Sequence, residues 1–127
     1  MGYQTDPAMQ ECIDACMECH ADCLHTSMTY CLDMGGAHVG AGHLRLMLNC
    51  AELCQVAANF MLSDSALHAV ACKACAEVCS ACADSCDQVG DMDECAALCR
   101  RCASACAAMG AGVMPGRDVE AAAQMAH

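Results

Sequence analysis

Large aromatic side chains are almost missing from this 127-residue sequence, which has no tryptophan, one phenylalanine and two tyrosines. Such side chains normally supply much of the apolar area that a protein core buries. Without them, apolar burial leaves only a small margin over the conformational entropy that folding costs. We therefore expect something besides apolar packing to hold the interior together.

Basic residues and long apolar runs are also scarce. Five lysines and arginines stand against sixteen aspartates and glutamates, which gives a formal net charge of −11. A protein that binds nucleic acid needs a basic patch for the phosphates, so no nucleic-acid partner is expected. No run approaches the length of about 18 apolar residues that predicts a membrane span, so no membrane partner is expected either.

Cysteine, by contrast, is abundant, with sixteen residues in the chain. A disulfide scaffold and a thiolate metal site are the two explanations for so many cysteines. The N-terminal stretch MGYQTDPAMQEC has no basic segment, no apolar segment and no twin arginine. We therefore expect a cytoplasmic protein, in which thiols stay reduced, and this expectation favours the metal site.

The cysteines recur at alternating steps of three and four, which is the spacing of one face of an α-helix. The pattern C-x3-C-x2-C-x3-C occurs in full at 12–23, 75–86 and 95–106, and one C-x3-C step occurs at 50–54. In chain order, the row residues are Cys12, Cys16, Cys19, Cys23, Cys50, Cys54, Cys72, Cys75, Cys79, Cys82, Cys86, Cys95, Cys99, Cys102 and Cys106. Each row predicts a helix that turns its thiols toward the core.

The rows, together with the capping residues and glycines between them, predict four helices. We place them at about 6–34, 38–62, 65–89 and 92–109, after a short N-terminal lead-in and before a peripheral C-terminal tail at 110–127. Short connections favour antiparallel neighbours. The sequence therefore predicts an all-α, up-down-up-down four-helix bundle that forms a single domain over 1–127.

Histidine and methionine extend the rows at their ends. His43 and Met47 precede Cys50 in the second row, His68 precedes Cys72 by four residues, and Met92 precedes Cys95 by three. We predict His43, Met47, Met92 and His68 as additional metal ligands, with ordinary core packing as the alternative for each.

Beyond Cys23 the first row loosens, and Cys31 and Met34 continue it less regularly. We include Cys31 among the metal ligands. The predicted path brings the first and third connections to the same end of the bundle, and we expect metal to enter there. The remaining histidines are expected to face solvent: His20, His25, His38 and His127.

The helical spacing suits metal binding better than disulfide formation. Side chains three or four residues apart have Cβ atoms about 5–6 Å apart, whereas a disulfide needs about 3.8 Å. Soft thiolate and thioether ligands select Cu(I), zinc or iron–sulfur clusters. Zinc in four-thiolate sites would leave about half of the buried negative charge uncompensated, whereas Cu(I) at roughly one per thiolate leaves the core near neutral. We therefore predict many Cu(I) ions in a continuous line along the bundle.

Three other functions remain open: a zinc or mixed-metal thiolate buffer, a thiol redox protein that uses C-x2-C pairs, and an iron–sulfur carrier. Structural zinc sites and iron–sulfur sites usually gather cysteines in separated sets of four, unlike these uninterrupted rows. The sequence has no phosphate loop, no G-x-S-x-G and no H-E-x-x-H, so an enzyme is not expected.

With these rows in place, the sequence resembles the bacterial copper storage proteins, which are four-helix bundles lined by cysteine. The resemblance rests on the rows at 12–23, 72–86 and 95–106 and on HLRLMLNCAELC at 43–54, and it covers about residues 8–110. It implies a cytoplasmic homotetramer that stores and buffers many Cu(I) ions on thiolates. Cytosolic members carry histidines between the third and fourth helices, where this chain has Asp91-Met92-Asp93.

Overall fold

The computed structural model describes residues 6–111, which form an antiparallel four-helix bundle. Its helices are α1 (Pro7–Met28), the short α2 (Tyr30–Met34), α3 (Ala41–Leu62), α4 (His68–Val89) and α5 (Asp93–Met109), with a 3₁₀ turn at Gly36–Val39 before α3. No strand occurs in the range described. The predicted all-α bundle is confirmed. The predicted lead-in and most of the predicted tail lie outside the described residues, and the single domain over 1–127 stays a prediction.

The first long helix begins where its sequence provides a cap. The Oδ1 atom of Asp6 accepts hydrogen bonds from the backbone N–H groups of Ala8 and Met9, both at 3.0 Å. Pro7 follows at the first helical position, where its missing N–H costs nothing and its fixed φ suits the helix. The cap sets the register in which α1 turns its cysteines inward.

One helix predicted for 6–34 is in fact two, because the chain breaks at Thr29. The Thr29 backbone leaves the helical region at φ −122° and ψ −78°, and its Oγ1 donates a hydrogen bond to the carbonyl oxygen of His25 at 2.7 Å. Side-chain bonds of this kind compete with the helical ladder. The break turns Met34 outward to 51% exposure, so its predicted place in the cysteine row is wrong.

The four long helices close around a core of small residues and sulfur. Contacts join α1 to α3, α3 to α4, α4 to α5 and α5 to α1. Every cysteine is at most 3% exposed, including Cys31 at 0%. Within the described range, Ile13 is the one branched aliphatic residue buried in this core. Apart from it and the cysteines, the buried apolar residues are alanines and methionines.

His38 was expected to face solvent, and this prediction is wrong. Its side chain is 7% exposed, and its Nε2 lies 3.1 Å from the carbonyl oxygen of Gly90. The rings of His38 and Tyr30 pack edge to face, with their centroids 5.5 Å apart. Gly90, at φ +87°, adopts the left-handed region that glycine tolerates best. The imidazole thus ties the connection before α3 to the connection before α5, at the end where we expected metal to enter.

None of the helices in 6–111 has both the length and the apolar character that crossing a bilayer requires.

Candidate metal centre

The cysteines of the four long helices meet in the interior and form a continuous column of sulfur atoms. At the end where α1 begins, the Sγ of Cys106 lies 3.6 Å from that of Cys12 and 3.4 Å from that of Cys16. Cys16 in turn lies 3.7 Å from Cys102, which lies 3.7 Å from Cys54. These separations are contacts between thiols, far longer than the disulfide bond length of about 2.05 Å.

The column continues without a gap toward the other end of the bundle. The Sγ of Cys79 lies 3.5 Å from both Cys54 and Cys50. Cys50 lies 3.8 Å from Cys23, and Cys23 lies 3.9 Å from Cys95. Since each step crosses to another helix, all four long helices contribute ligands to one line.

Several sulfur groups are compact enough to surround a metal ion. Three sulfur atoms around one metal lie about 4.0 Å apart if each metal–sulfur bond is about 2.3 Å long. In each of five groups of cysteines, the sulfur atoms lie within 4.8 Å of one another. The groups are Cys16, Cys75, Cys102 and Cys106; Cys19, Cys50, Cys54 and Cys79; Cys19, Cys23, Cys50 and Cys99; Cys54, Cys75, Cys79 and Cys102; and Cys12, Cys72 and Cys106. Because neighbouring groups share members, the arrangement suits bridged metal ions better than isolated ones.

Met47 takes the place of a cysteine near the Thr29 end of the column. Its side chain is fully buried. Its Sδ accepts S–H hydrogen bonds from Cys82 at 3.6 Å, Cys86 at 3.7 Å and Cys95 at 3.9 Å. The structure thus places Met47 in the sulfur column, with three thiols around one neutral thioether.

Cys31 and His43 form a pair beyond this layer. The Sγ of Cys31 lies 3.9 Å from the Nε2 of His43, and the Nδ1 of His43 lies 2.8 Å from the Oγ of Ser85. Burial raises the pKa of the Cys31 thiol and lowers the pKa of His43. The histidine is therefore held in its neutral form, which can bind metal. The sequence analysis missed Ser85, which immediately precedes Cys86 and lies one step off the row.

The other two predicted ligands have no hydrogen bond to a column sulfur among the described residues. His68 is half-buried at the start of α4, and its Nδ1 lies 2.9 Å from the carbonyl oxygen of Ser65. Hydrogen bonding from Cys106 and, to a smaller extent, the charge of His68 lower the pKa of Cys12. Met92 is 5% exposed and lines a surface cavity with Cys95.

The thiols of the column share protons through S–H···S hydrogen bonds. Bonds from Cys106 and Cys16 lower the pKa of Cys102 to about 7. A metal that binds a thiolate displaces its proton. A thiol with a pKa near neutrality therefore gives up its proton to an incoming metal more readily than an ordinary cysteine does.

An acidic cavity of about 530 Å³ opens beside Cys95, and the sequence analysis missed its most buried carboxylate, Asp22. The Oδ2 of Asp22 is buried and has no hydrogen-bond partner. Burial first, and the charge of Cys95 second, raise the pKa of Asp22 to about 6. Asp22 adjoins Cys23 but lies one step off the cysteine row, so periodicity gave no signal for it.

Comparison with known proteins places this cysteine column in a family. A family model described as copper storage protein matches residues 5–111. The chain belongs to the copper storage protein family. The crystal structure of a Nitrosospira multiformis protein is 53% identical, with a TM-score of 0.82, and the match covers 84% of this chain and 98% of that one.

Two further structures of this family are similar to the chain. A Cu(I)-bound copper storage protein, BsCsp3, is 35% identical with a TM-score of 0.74, over 82% of this chain and 99% of that one. The metal-free copper storage protein 3 from Bacillus subtilis is 36% identical with a TM-score of 0.69, over 80% and 98% of the two chains. The cysteine-rich protein YhjQ of Bacillus subtilis is 36% identical over 69 residues, which are 54% of this chain and 63% of that relative's length.

Proposed function

We propose that this protein stores and buffers Cu(I), holding many ions on the thiolates of its core. The observation that carries the proposal is the column itself. Fifteen buried thiols each have at least one sulfur atom from another side chain within 4.8 Å. Membership of the copper storage protein family and the likeness to a Cu(I)-bound structure support this function.

We assign the ligands to all sixteen cysteines, with Met47 and His43 extending the column at the Thr29 end. Met92 and His68 are candidate ligands at the two ends, because Met92 lines a cavity with Cys95 and the charge of His68 acts on Cys12. Cu(I) ions pass inward past His43, Met47 and Met92. Each ion neutralises one thiolate, which keeps the buried charge small as the column fills.

An anaerobic titration of the reduced, metal-free protein against a Cu(I) chelator tests storage. We expect tight binding of roughly one ion per thiolate, because that ratio neutralises the core. The variant Cys79→Ser should lose about one ion of capacity, since it removes one bridging thiolate. Ser80→Ala, at the next and solvent-facing position, is the matched control and should keep full capacity. Saturation of the unmodified protein at one or two ions would refute storage.

A zinc or mixed-metal buffer is the second candidate, since four of the sulfur groups have the four ligands that zinc prefers. Against it, four Zn²⁺ ions would neutralise only eight of the sixteen thiolates, whereas Cu(I) at one ion per thiolate neutralises all of them. Competition between the two metals for the reduced protein decides the matter. Tight zinc binding beside weak Cu(I) binding would favour the second candidate.

We further propose that the protein acts in the cytoplasm, as a homo-oligomer, and without catalysing a reaction. All sixteen thiols are unpaired, which suits a reducing compartment. Met17, Leu24 and Met28 are 38–43% exposed and follow one outward face of α1, which suits packing against another copy. The tetramer is implied by resemblance. Light scattering after gel filtration measures the oligomeric state, and a monomer would refute association.

A further inference from the structure

One compact sulfur group differs from the others because it has three members. The group is Cys12, Cys72 and Cys106, whose Sγ atoms lie within 4.8 Å of one another, whereas each of the other groups in the described chain has four members. The sequence of α3 explains the difference. This helix has no cysteine beyond Cys54 and continues its inward face to the buried Met61. At this end of the column, thiols therefore come from α1, α4 and α5.

The three-thiol group lies at the outer end of the column, near the ends of its helices. The helices α1 and α4 begin at this end, and α5 ends there. Cys12 and Cys72 belong to none of the other compact groups, and Cys106 is shared with one of them. Helix ends open locally at a low free-energy cost. A small molecule that enters from this end therefore meets these three thiols before it meets the deeper groups.

The spacing of the three sulfur atoms fits one pyramidal ion. Bonds of about 2.3 Å place three sulfur atoms about 3.3 Å apart if the bonds meet at right angles, and about 4.0 Å apart if they lie in one plane. Cys12 and Cys106 are 3.6 Å apart, and Cys72 lies within 4.8 Å of both. An ion with a lone pair takes the pyramidal form and keeps its fourth side free of ligands. In the four-membered groups, a fourth sulfur would crowd that lone pair.

The charge of the three thiolates selects a trivalent ion. All three side chains are fully buried, so an uncompensated charge there is costly. One Cu⁺ would leave two negative charges and one Zn²⁺ would leave one, whereas a trivalent ion neutralises all three. Zinc also prefers a fourth ligand. Thiolates select soft ions, and As(III) is a soft trivalent ion that binds three thiolates with its lone pair on the fourth side.

We propose that Cys12, Cys72 and Cys106 form a three-thiolate binding site for As(III) in the metal-free protein. The ion arrives as arsenous acid, As(OH)₃, which is uncharged at neutral pH. Three As–O bonds break and three As–S bonds form. Each departing hydroxide takes the proton of one thiol and leaves as water. Arsenic stays As(III), so the step needs no oxidant or reductant.

Anaerobic titration of the reduced, metal-free protein with arsenite tests the site. We expect about one tightly bound arsenic per chain, and X-ray absorption at the arsenic edge should show three sulfur neighbours. Cys12→Ser should weaken binding at least about tenfold, since loss of an outer-shell partner alone commonly costs that much. Cys99→Ser removes an equally buried thiol from a different group. This variant is the matched control and should keep the affinity of the unmodified protein.

Nuclear magnetic resonance of the unmodified protein gives a second test that does not depend on how the variants fold. One equivalent of arsenite should shift the Cβ signals of Cys12, Cys72 and Cys106 and leave that of Cys99 in place. Two sulfur neighbours around arsenic, equal losses of affinity in Cys12→Ser and Cys99→Ser, or shifts centred on another group would each overturn the proposal. No copper is present in these assays, so their outcome is independent of whether the protein stores Cu(I).

Discussion

Replacing Asp22 with asparagine should stabilise the metal-free protein at neutral pH. The carboxylate lies beside the column on α1, with its Oδ2 buried and unpartnered. Burial and the nearby Cys95 raise its pKa from the ordinary value of 3.8 to about 6. A carboxylate with a raised pKa binds its proton more tightly in the folded than in the unfolded chain. The ionised group therefore destabilises the fold as the pH rises above the ordinary pKa of 3.8, and the cost reaches its full size above about pH 6.

The size of this effect follows from the pKa difference. A rise of the pKa from 3.8 to about 6 lowers the free energy of unfolding by at most about 3 kcal/mol at pH 7.5. The side chain is partly exposed, so solvent screening reduces the expected gain of Asp22→Asn to about 1–2 kcal/mol. At pH 5 the folded protein already holds the proton, and the gain should fall to about half. The gain should vanish as the pH falls below the pKa of the carboxyl group in the unfolded chain, about 3.8.

Thermal unfolding of the reduced, metal-free protein at both pH values measures the gain. An increase of about 1–2 kcal/mol corresponds to a rise in Tm of roughly 4–8 °C for a domain of this size. Glu77→Gln is the control, because this exposed carboxylate on α4 should change stability by less than about 0.5 kcal/mol. The reasoning fails if Asp22→Asn unfolds at or below the original temperature at pH 7.5, or if its gain is the same at both pH values.

Three other substitutions test the packing of the bundle and the role of Met47. A Cβ added at Gly110 would lie 2.8 Å from the backbone nitrogen of Lys73, so Gly110→Ala should cost about 1–3 kcal/mol in urea unfolding. Gly42→Ala, in open space on α3, should instead gain up to about 1 kcal/mol, and equal effects at the two glycines would contradict the structure. Met47→Leu nearly conserves the side-chain volume and should change the free energy of unfolding of the metal-free protein by less than about 1.5 kcal/mol. It should, however, reduce the number of Cu(I) ions bound in the chelator titration. An unchanged number would exclude Met47 as a ligand.

The cysteine periodicity was enough to predict the fold and the inward direction of the rows. Steps of three and four leave a side chain only one helical face, so Cys72 and Cys86 could be placed in the core from spacing alone. The column in which the rows meet could be inferred in outline, since four such faces have one interior to share. Its individual contacts, such as Cys79 with Cys50 and Cys54, depend on how the helices are rotated, which the sequence does not encode locally.

Features that depend on a single side-chain bond escaped the sequence analysis. The break at Thr29 rests on one hydroxyl bonded to one carbonyl, and threonine occurs in many unbroken helices. The burial of His38 depends on the distant carbonyl of Gly90. Asp22 and Ser85 lie one position from a cysteine, where periodicity predicts exposure. Long-range contacts determined the outcome at His38 and Ser85, and a local side-chain bond determined it at Thr29.

The spacing of the sulfur atoms has a consequence for the lifetime of the protein. The thiols lie 3.4–4.0 Å apart at successive steps of the column, close to the spacing that a shared ion requires. Because the sulfur atoms already have this spacing, we expect release of an ion to require little backbone movement and to leave the helices packed. Proteases act on chains that open, so we expect a chain that has delivered its cargo to survive and be filled again. The same molecule can serve through repeated cycles of surplus and shortage, without new synthesis for each one.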